Sequence, residues 1–242
     1  MPVFRVYTGS PAPCPYLPGR ESINEYWVTR RLTPESYQLL MDQGFRKFAA
    51  VSFRPRCVGC TECRSIRYPI EQFRPDRSQR RNWKANQDLR VEFNRPTLDD
   101  ARMELYDRYH EAQGVLRGWP ENDVGPHEYE STFVRNPIPG VEISLWLENR
   151  LVGVVLTELT PDVISGIYHY HDPDLRKRGL GTYGMLHTIE HGRLLGKRYA
   201  YFGYYVKGCV SVEYKARFQP AEILDDNREW VPFRPDEAPG SA

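Results

Sequence analysis

The sequence predicts an α+β protein, and three observations lead there. Apolar residues make up 40% and aromatics 13% of the chain, enough to build a core. Residues 141–171 alternate between apolar and polar in the manner of paired strands. A glycine-rich turn, a helix and a further strand then follow in residues 176–206. Strands that precede a single strand–helix–strand passage mix the two element types rather than alternating them throughout.

The elements follow in order. Residues 1–32 are proline-rich and read as irregular, with Cys14 inside "PCPYLPG". "TPESYQLLMDQG" reads as a helix, with Thr33 as N-cap, Pro34 at its first position and Gly44 closing it. "FRKFAAVSF" reads as one strand and "SIRYPIEQF" as the next, with the cysteine cluster between them. A basic helix follows in "PDRSQRRNWKANQ", then the strand "LRVEFN". "TLDDARMELYDRYHEAQG" reads as a helix capped by Thr97. Residues 118–140, rich in Gly, Pro and Asn, divide the chain into a part that holds the cysteine cluster, 1–117, and a second part, 118–233. "VEISLWLENRLVGVVLTEL" reads as a hairpin turning at Asn149, with "VISGIYHYH" and "YAYFGYYV" as later strands. Residues 234–242 read as a disordered tail.

Composition narrows the function. No apolar run approaches the ~18 residues of a membrane helix, and the N-terminal stretch lacks the layout of a signal peptide. A cytoplasmic protein is expected, with no membrane or DNA partner. The net charge of +1 conceals a segregation: residues 20–90 carry 15 Lys/Arg against 8 Asp/Glu, and residues 91–165 carry 6 against 14. The basic part suits a polyanion. On the basic helix, Arg77, Arg81 and Lys84 fall four and three residues apart and share a face, with Arg80 beside them.

Three of the five cysteines crowd into "CVGCTEC" as Cys57, Cys60 and Cys63. In a reducing compartment such a cluster points to a metal rather than disulfides. Cys14 supplies a fourth thiolate, and four thiolates suit an iron–sulfur cluster or zinc; a cysteine-lined core without metal is the other reading. Cys209 reads as a distant, small apolar residue.

The run Arg176-x-x-Gly179-x-Gly181, set after a strand and before a helix, resembles the pyrophosphate loop of the GNAT acyltransferases, with Arg178, Gly179 and Gly181 facing the donor. A longer resemblance spans residues 14 to 224. "CPYLPGR", "GFRKF", "FRPRCVGCTECRSIRYPIEQFRPDRSQRR", "YHYHDP", "YFGYYVKGC" and "YKARFQP" follow in the order of the aminoacyl-tRNA–protein transferases of the N-degron pathway. The bacterial aspartate/glutamate leucyltransferases look most similar, with the arginyltransferases as kin. Two departures, "RKRGLG" after the Asp-Pro corner and His171 where an aromatic is usual, leave leucine and arginine both open as cargo.

The resemblance implies a GNAT-like acyltransferase domain in the C-terminal half. It implies transfer of an amino acid, leucine favoured, from aminoacyl-tRNA to the α-amine of proteins beginning with Asp or Glu, without CoA. It puts the tRNA on Arg77, Arg80, Arg81 and Lys84, and an iron–sulfur cluster or zinc on Cys14, Cys57, Cys60 and Cys63. Tyr204 and Tyr205 are the candidate hydroxyl donors, and His169 and Asp172 the candidate proton carriers, with His171 and Glu158 behind them. Lys207, Lys215 and Arg217 are the candidates for the acceptor's carboxylate. Two other readings stand beside this one: a GNAT acetyltransferase using acetyl-CoA, and a metal-stabilised RNA-binding protein without catalysis.

Overall fold

A computed structural model describes residues 3–49 and 51–235. Strand β1 (Val3–Thr8), the two-residue strands β2 (Ala12–Pro13) and β3 (Glu21–Ser22), and β4 (Asn24–Thr29) open the chain. Residues 1–32 are therefore not irregular throughout. The prolines at 11, 13, 15 and 18 are confined to the excursion between β1 and β4, which pair antiparallel, with Tyr7 stacked on Tyr26 at 5.1 Å. Helix α1 (Pro34–Asp42) starts at Thr33, whose hydroxyl accepts from Ser36 N. The expected strand "FRKFAAVSF" divides into β5 (Arg46–Phe48) and β6 (Val51–Pro55), and Ala49 at φ 49° turns the chain between them. These strands form a sheet in the order β1-β4-β6-β5.

Next come β7 (Arg64–Pro69), α2 (Arg77–Ala85), β8 (Arg90–Asn94) and α3 (Asp100–Arg117). The cap of α3 is Asp99, not Thr97: its carboxylate accepts from Arg102 N at 2.9 Å. A short helix α4 (Pro126–Tyr129) and a π turn at Glu130–Val134 lead to β9 (Glu142–Leu147), β10 (Arg150–Leu159) and β11 (Val163–His171). A 3-10 turn at Pro173–Arg178 enters α5 (Leu180–Leu194), and β12 (Tyr199–Tyr205) returns. Helix α6 (Val210–Glu213), a 3-10 turn and the hairpin β13 (Ala221–Leu224) and β14 (Trp230–Phe233) complete the fold.

The second sheet has eight strands in the order β14-β13-β7-β12-β11-β10-β9-β8. A boundary between residues 117 and 118 does not divide it. Strands β7 and β8 belong to the first part of the chain, yet β7 sits between β13 and β12, and β8 pairs with β9. The tail beyond residue 235 lies outside the described residues. Helix α5 covers one face of the sheet, where Leu180 and Tyr183 pack on Ile143, Leu145 and Val155. Helices α3 and α4 cover another part, where Leu105, Tyr106 and Tyr129 pack on Val154, Leu156 and Tyr170. No helix among the described residues is long and apolar enough to cross a membrane.

The feature that positions the site is the parallel pair β11 and β12. Their ladder covers only Val163–Tyr199, Ile164–Ala200 and Ser165–Tyr201, and then the strands part. Gly166 stands at the fork, where a Cβ would lie 2.8 Å from the Phe202 ring. On its other edge β12 shifts register against β7 between Tyr201 and Tyr204, around Gly203 at φ 76°.

Candidate active site

A cavity of about 300 Å3 opens where β11 and β12 part. Gly166, Ile167 and Tyr168 line it from β11, and Phe202, Gly203 and Tyr204 from β12. The hairpin β5–β6 contributes Arg46, Lys47, Phe48 and Phe53, while Phe133, Glu158 and Lys215 come from elsewhere in the chain. Small-molecule sites have this character: mostly apolar walls with a few convergent charged groups.

The charged groups are held by the backbone that the fork releases. Arg46 Nη2 donates to Gly166 O at 3.1 Å, and Lys215 Nζ donates to Tyr204 O at 2.8 Å. Lys47 Nζ and Glu158 Oε1 form a buried ion pair at 2.5 Å, and Asn136 Nδ2 donates to the same oxygen. Asn136 Oδ1 also accepts from Lys47 Nζ at 2.8 Å. Glu158 Oε2 is buried without a hydrogen-bond partner. Burial, then the nearby Arg46 guanidinium, pushes the Lys215 amine down to about 7. A lysine so placed is partly neutral near neutrality and carries a lone pair. Burial also lowers the Lys47 amine, and its pairing with Glu158 opposes that shift.

The expected site residues separate into those that meet here and those that do not. Lys215 and Tyr204 line the cavity. The Tyr204 hydroxyl donates to Gly44 O at 3.0 Å, which ties β12 to the end of α1. Tyr205 points to the other side and packs its ring 4.8 Å from Phe233. His169 and His171 share a face, with ring centroids 5.3 Å apart, but that face lies away from the cavity. His169 is packed under α5 beside Gly181 and Gly184, and burial, then His171, takes its pKa down to about 3. His171 falls to about 4 by burial, partly offset by Asp172. Asp172 is fully buried; Arg108 and Arg150 both bind its carboxylate, which also caps the 3-10 turn through Asp174 N. Lys207 and Arg217 are exposed and do not line the cavity.

The glycine-rich turn is bolted to α2. Arg178 Nε donates to Asn86 Oδ1 at 2.9 Å, and its Nη2 reaches Ala85 O and Asp88. Asn82 Nδ2 in return donates to the carbonyls of Arg178 and Gly179. Gly179 is required there: its φ is 65°, and a Cβ would sit 2.7 Å from Asn82 Nδ2. Gly181 lies in the first turn of α5 against His169. The guanidinium of Arg178 is thus committed to joining two helices. The other side of α2 exposes Arg77, Arg80, Arg81 and Lys84, with Gln79 and Trp83 turned inward on Arg217 O and on Tyr183 and His187.

The cysteines gather at the neighbouring corner. Cys57, Cys60 and Cys63 line a second cavity, of about 350 Å3, that shares Tyr204 as a wall. Burial pushes the Cys63 thiol up to about 12, aided by Cys14, Cys57, Cys60 and Cys209. Cys209 is therefore not remote: it is buried with Tyr204 and Val206 against Cys63 and Tyr16. N–H groups point at three sulfurs, Leu17 N at Cys14, Arg20 Nη1 at Cys60 and Ile23 N at Cys57, each at 3.4 Å. Such donors suit thiolates that bind a soft metal. Among the described residues no three His, Cys, Asp or Glu side chains are arranged to hold a metal ion as they stand. The donor set fits the expected metal, while its present spacing does not enclose one.

Sequence reasoning missed Arg46 and Lys47 as site residues. Their signal was the run "GFRKF", residues 44–48, which carried the family resemblance without a role.

A mixed sheet whose parallel neighbours part over a cavity gives the chain a GNAT-like fold. FemX shares this fold, with a TM-score of 0.51 at 9% identity over 78% of this chain and 65% of its own. L-PGS from Bacillus licheniformis gives a TM-score of 0.48 at 11% identity, with 72% of this chain on 51% of that one. The family model "Arginine-tRNA-protein transferase, C terminus" matches residues 101–225, and "Arginine-tRNA-protein transferase, N terminus" matches residues 12–81. An aspartate/glutamate leucyltransferase of Helicobacter hepaticus is 35% identical over 87% of this chain and 88% of the relative. One from Halorhodospira halophila is 34% identical over 90% and 92%. The chain belongs to the aminoacyl-tRNA–protein transferase family, and its activity is the transfer of an aminoacyl group from tRNA to protein.

Proposed function

We propose that this chain transfers leucine from leucyl-tRNA to the α-amine of proteins that begin with Asp or Glu, and that the chemistry takes place in the cavity at the β11–β12 fork. The observation that carries this reading is the meeting of Lys215, Arg46 and the Lys47–Glu158 pair within one apolar-walled space. The walls Phe48, Phe133, Ile167 and Phe202 suit the branched side chain of leucine and exclude water from the ester. The exposed cations of α2 receive the tRNA backbone.

The ester is already activated, so the protein supplies positioning and a proton acceptor. The acceptor nitrogen attacks the ester carbonyl. A C–N bond forms and the bond to the ribose oxygen breaks. Lys215 takes the proton leaving the attacking amine, and that proton goes on to the ribose oxygen. A lysine held near pKa 7 is matched to an acceptor amine whose own pKa is about 8. This role replaces the carboxylate contact expected of Lys215.

The four cysteines at the corner support an iron–sulfur cluster or zinc on Cys14, Cys57, Cys60 and Cys63, a structural element beside the cavity wall. Metal analysis and visible absorbance of the purified protein test it; a colourless, metal-free protein of full activity ends it. Five free thiols support a reducing, cytoplasmic setting.

The test is incubation with radiolabelled leucyl-tRNA or arginyl-tRNA and a peptide that begins with Asp. Leucine is expected to reach the peptide, and RNase to abolish the transfer. Incorporation of arginine alone rejects leucine as cargo.

A further inference from the structure

Buried charge in this cavity does not balance. Lys47 is matched by Glu158 at 2.5 Å, and Asn136 completes that pair. Arg46 is only 9% exposed and has no carboxylate within 4 Å among the described residues. Its Nη2 rests on a neutral carbonyl, that of Gly166, and its Nη1 is buried with no hydrogen-bond partner. A guanidinium keeps its charge at any physiological pH, so it holds a positive charge that the surrounding side chains leave uncompensated. A buried ion without a partner is costly, and it persists most readily where a ligand supplies the missing charge.

The position of Nη1 limits what that ligand is. Arg46 lines the cavity and its Nη1 is closed to solvent, so a group that stays on the surface, such as a tRNA phosphate, does not meet it, while a group that enters the cavity meets this side chain and pairs with Nη1 once the guanidinium turns toward it. If the reaction takes place in this cavity, two groups must enter it: the aminoacyl end of the donor and the first residue of the acceptor. A leucyl ester brings no anion. An acceptor that begins with Asp or Glu brings one carboxylate, two or three bonds from the carbon that bears the attacking amine.

We infer that Arg46 reads the acidic side chain of the acceptor's first residue, with Nη1 donating to its carboxylate, so that Arg46 rather than Lys207 or Arg217 sets the preference for Asp and Glu. The inference rests on the transfer reading above. Gly203 contributes by having no side chain: a Cβ there would stand 3.9 Å from Arg46 Nε and 3.7 Å from Lys215 Nζ, and would narrow the space between the two cations. An acceptor that begins with Asn or Gln has the same shape but no charge, and leaves Arg46 as unpaired as before.

The experiment measures kcat/KM for leucine transfer from leucyl-tRNA to peptides that differ only in their first residue, Asp or Asn. The wild-type chain is expected to favour Asp by about 100-fold or more, because a polar site rejects analogues that leave its groups unpaired. In Arg46→Gln the ratio falls to within about threefold, mainly through loss of the Asp peptide. Arg46→Lys, which keeps the charge, retains part of the preference. Leucyl-tRNA binding and the melting temperature of each variant show that it is folded. A ratio unchanged in Arg46→Gln overturns the inference. So does an equal loss for both peptides, which would put Arg46 on the reacting carbonyl instead, and so does an Arg46→Lys variant with no preference. A wild-type chain that moves no leucine to either peptide fails differently, by rejecting the transfer reading itself.

Discussion

Two sets of cations differ in almost everything except charge. Arg77, Arg80, Arg81 and Lys84 stand on one helix, exposed to water and at most seven residues apart. Arg46 and Lys47 stand side by side on β5 and Lys215 stands 169 residues further on, yet all three converge on one cavity, Arg46 and Lys215 through the backbone released at the β11–β12 fork. The first set keeps its charge, is screened by salt and acts in sum. In the second, one lysine is paired, another is pushed toward neutrality, and the arginine is left without a counter-ion. The contrast teaches that the same residue types serve as a landing surface where hydrated and as separate instruments where buried.

The largest expected effect lies in the buried set. Lys47→Met removes the partner of a carboxylate that is 1% exposed and leaves it uncompensated. Unfolding free energy is expected to fall by about 3–5 kcal/mol, read by denaturant titration. A loss under about 1 kcal/mol would mean that water reaches Glu158 and that the cavity is not the low-dielectric space described.

A smaller effect belongs to the exposed set. Reversing Arg77 and Arg81 to Glu is expected to lower tRNA affinity and to reduce the slope of log affinity against log salt by about 2, with little change in melting temperature. If the slope holds, the tRNA lies elsewhere. The smallest effect separates two left-handed glycines. Gly196→Ala, at φ 67° with nothing within 4 Å, is expected to cost about 1 kcal/mol. Gly179→Ala is expected to cost more, because its Cβ also displaces Asn82 from the α2–α5 joint. Equal losses would show that the joint yields freely.

Local signals carried much of the fold into the sequence. Thr33, the basic helix with its spacing, the hairpin at Asn149 and the glycine turn into α5 all lie where they were expected, because capping, periodicity and turn chemistry act over a few residues. The sheet order was not legible. Nothing local tells β7 to enter between β13 and β12, so the boundary at 117 looked natural while the strands ignored it. The partners of the candidate site residues were hidden for the same reason. Asp172 and Arg178 looked chemical by motif, but their partners Arg150, Arg108, Asn86 and Asp88 come from other elements and turn both into joints. Cys209 looked remote only because sequence distance hides the fold that brings it beside Cys63.

The proton-accepting role of Lys215 is tested most directly by single-turnover leucine transfer in the wild-type chain and in Lys215→Gln, from about pH 5.5 to about pH 8.5. Titration of the acceptor amine affects both chains and cancels in the ratio of their rates. Below about 7 Lys215 is protonated and cannot take a proton; above it the amine is free. The ratio of wild-type to variant rate should therefore rise with pH through about 7 and level off, reaching about 100-fold. A ratio that is flat across this range would contradict the account.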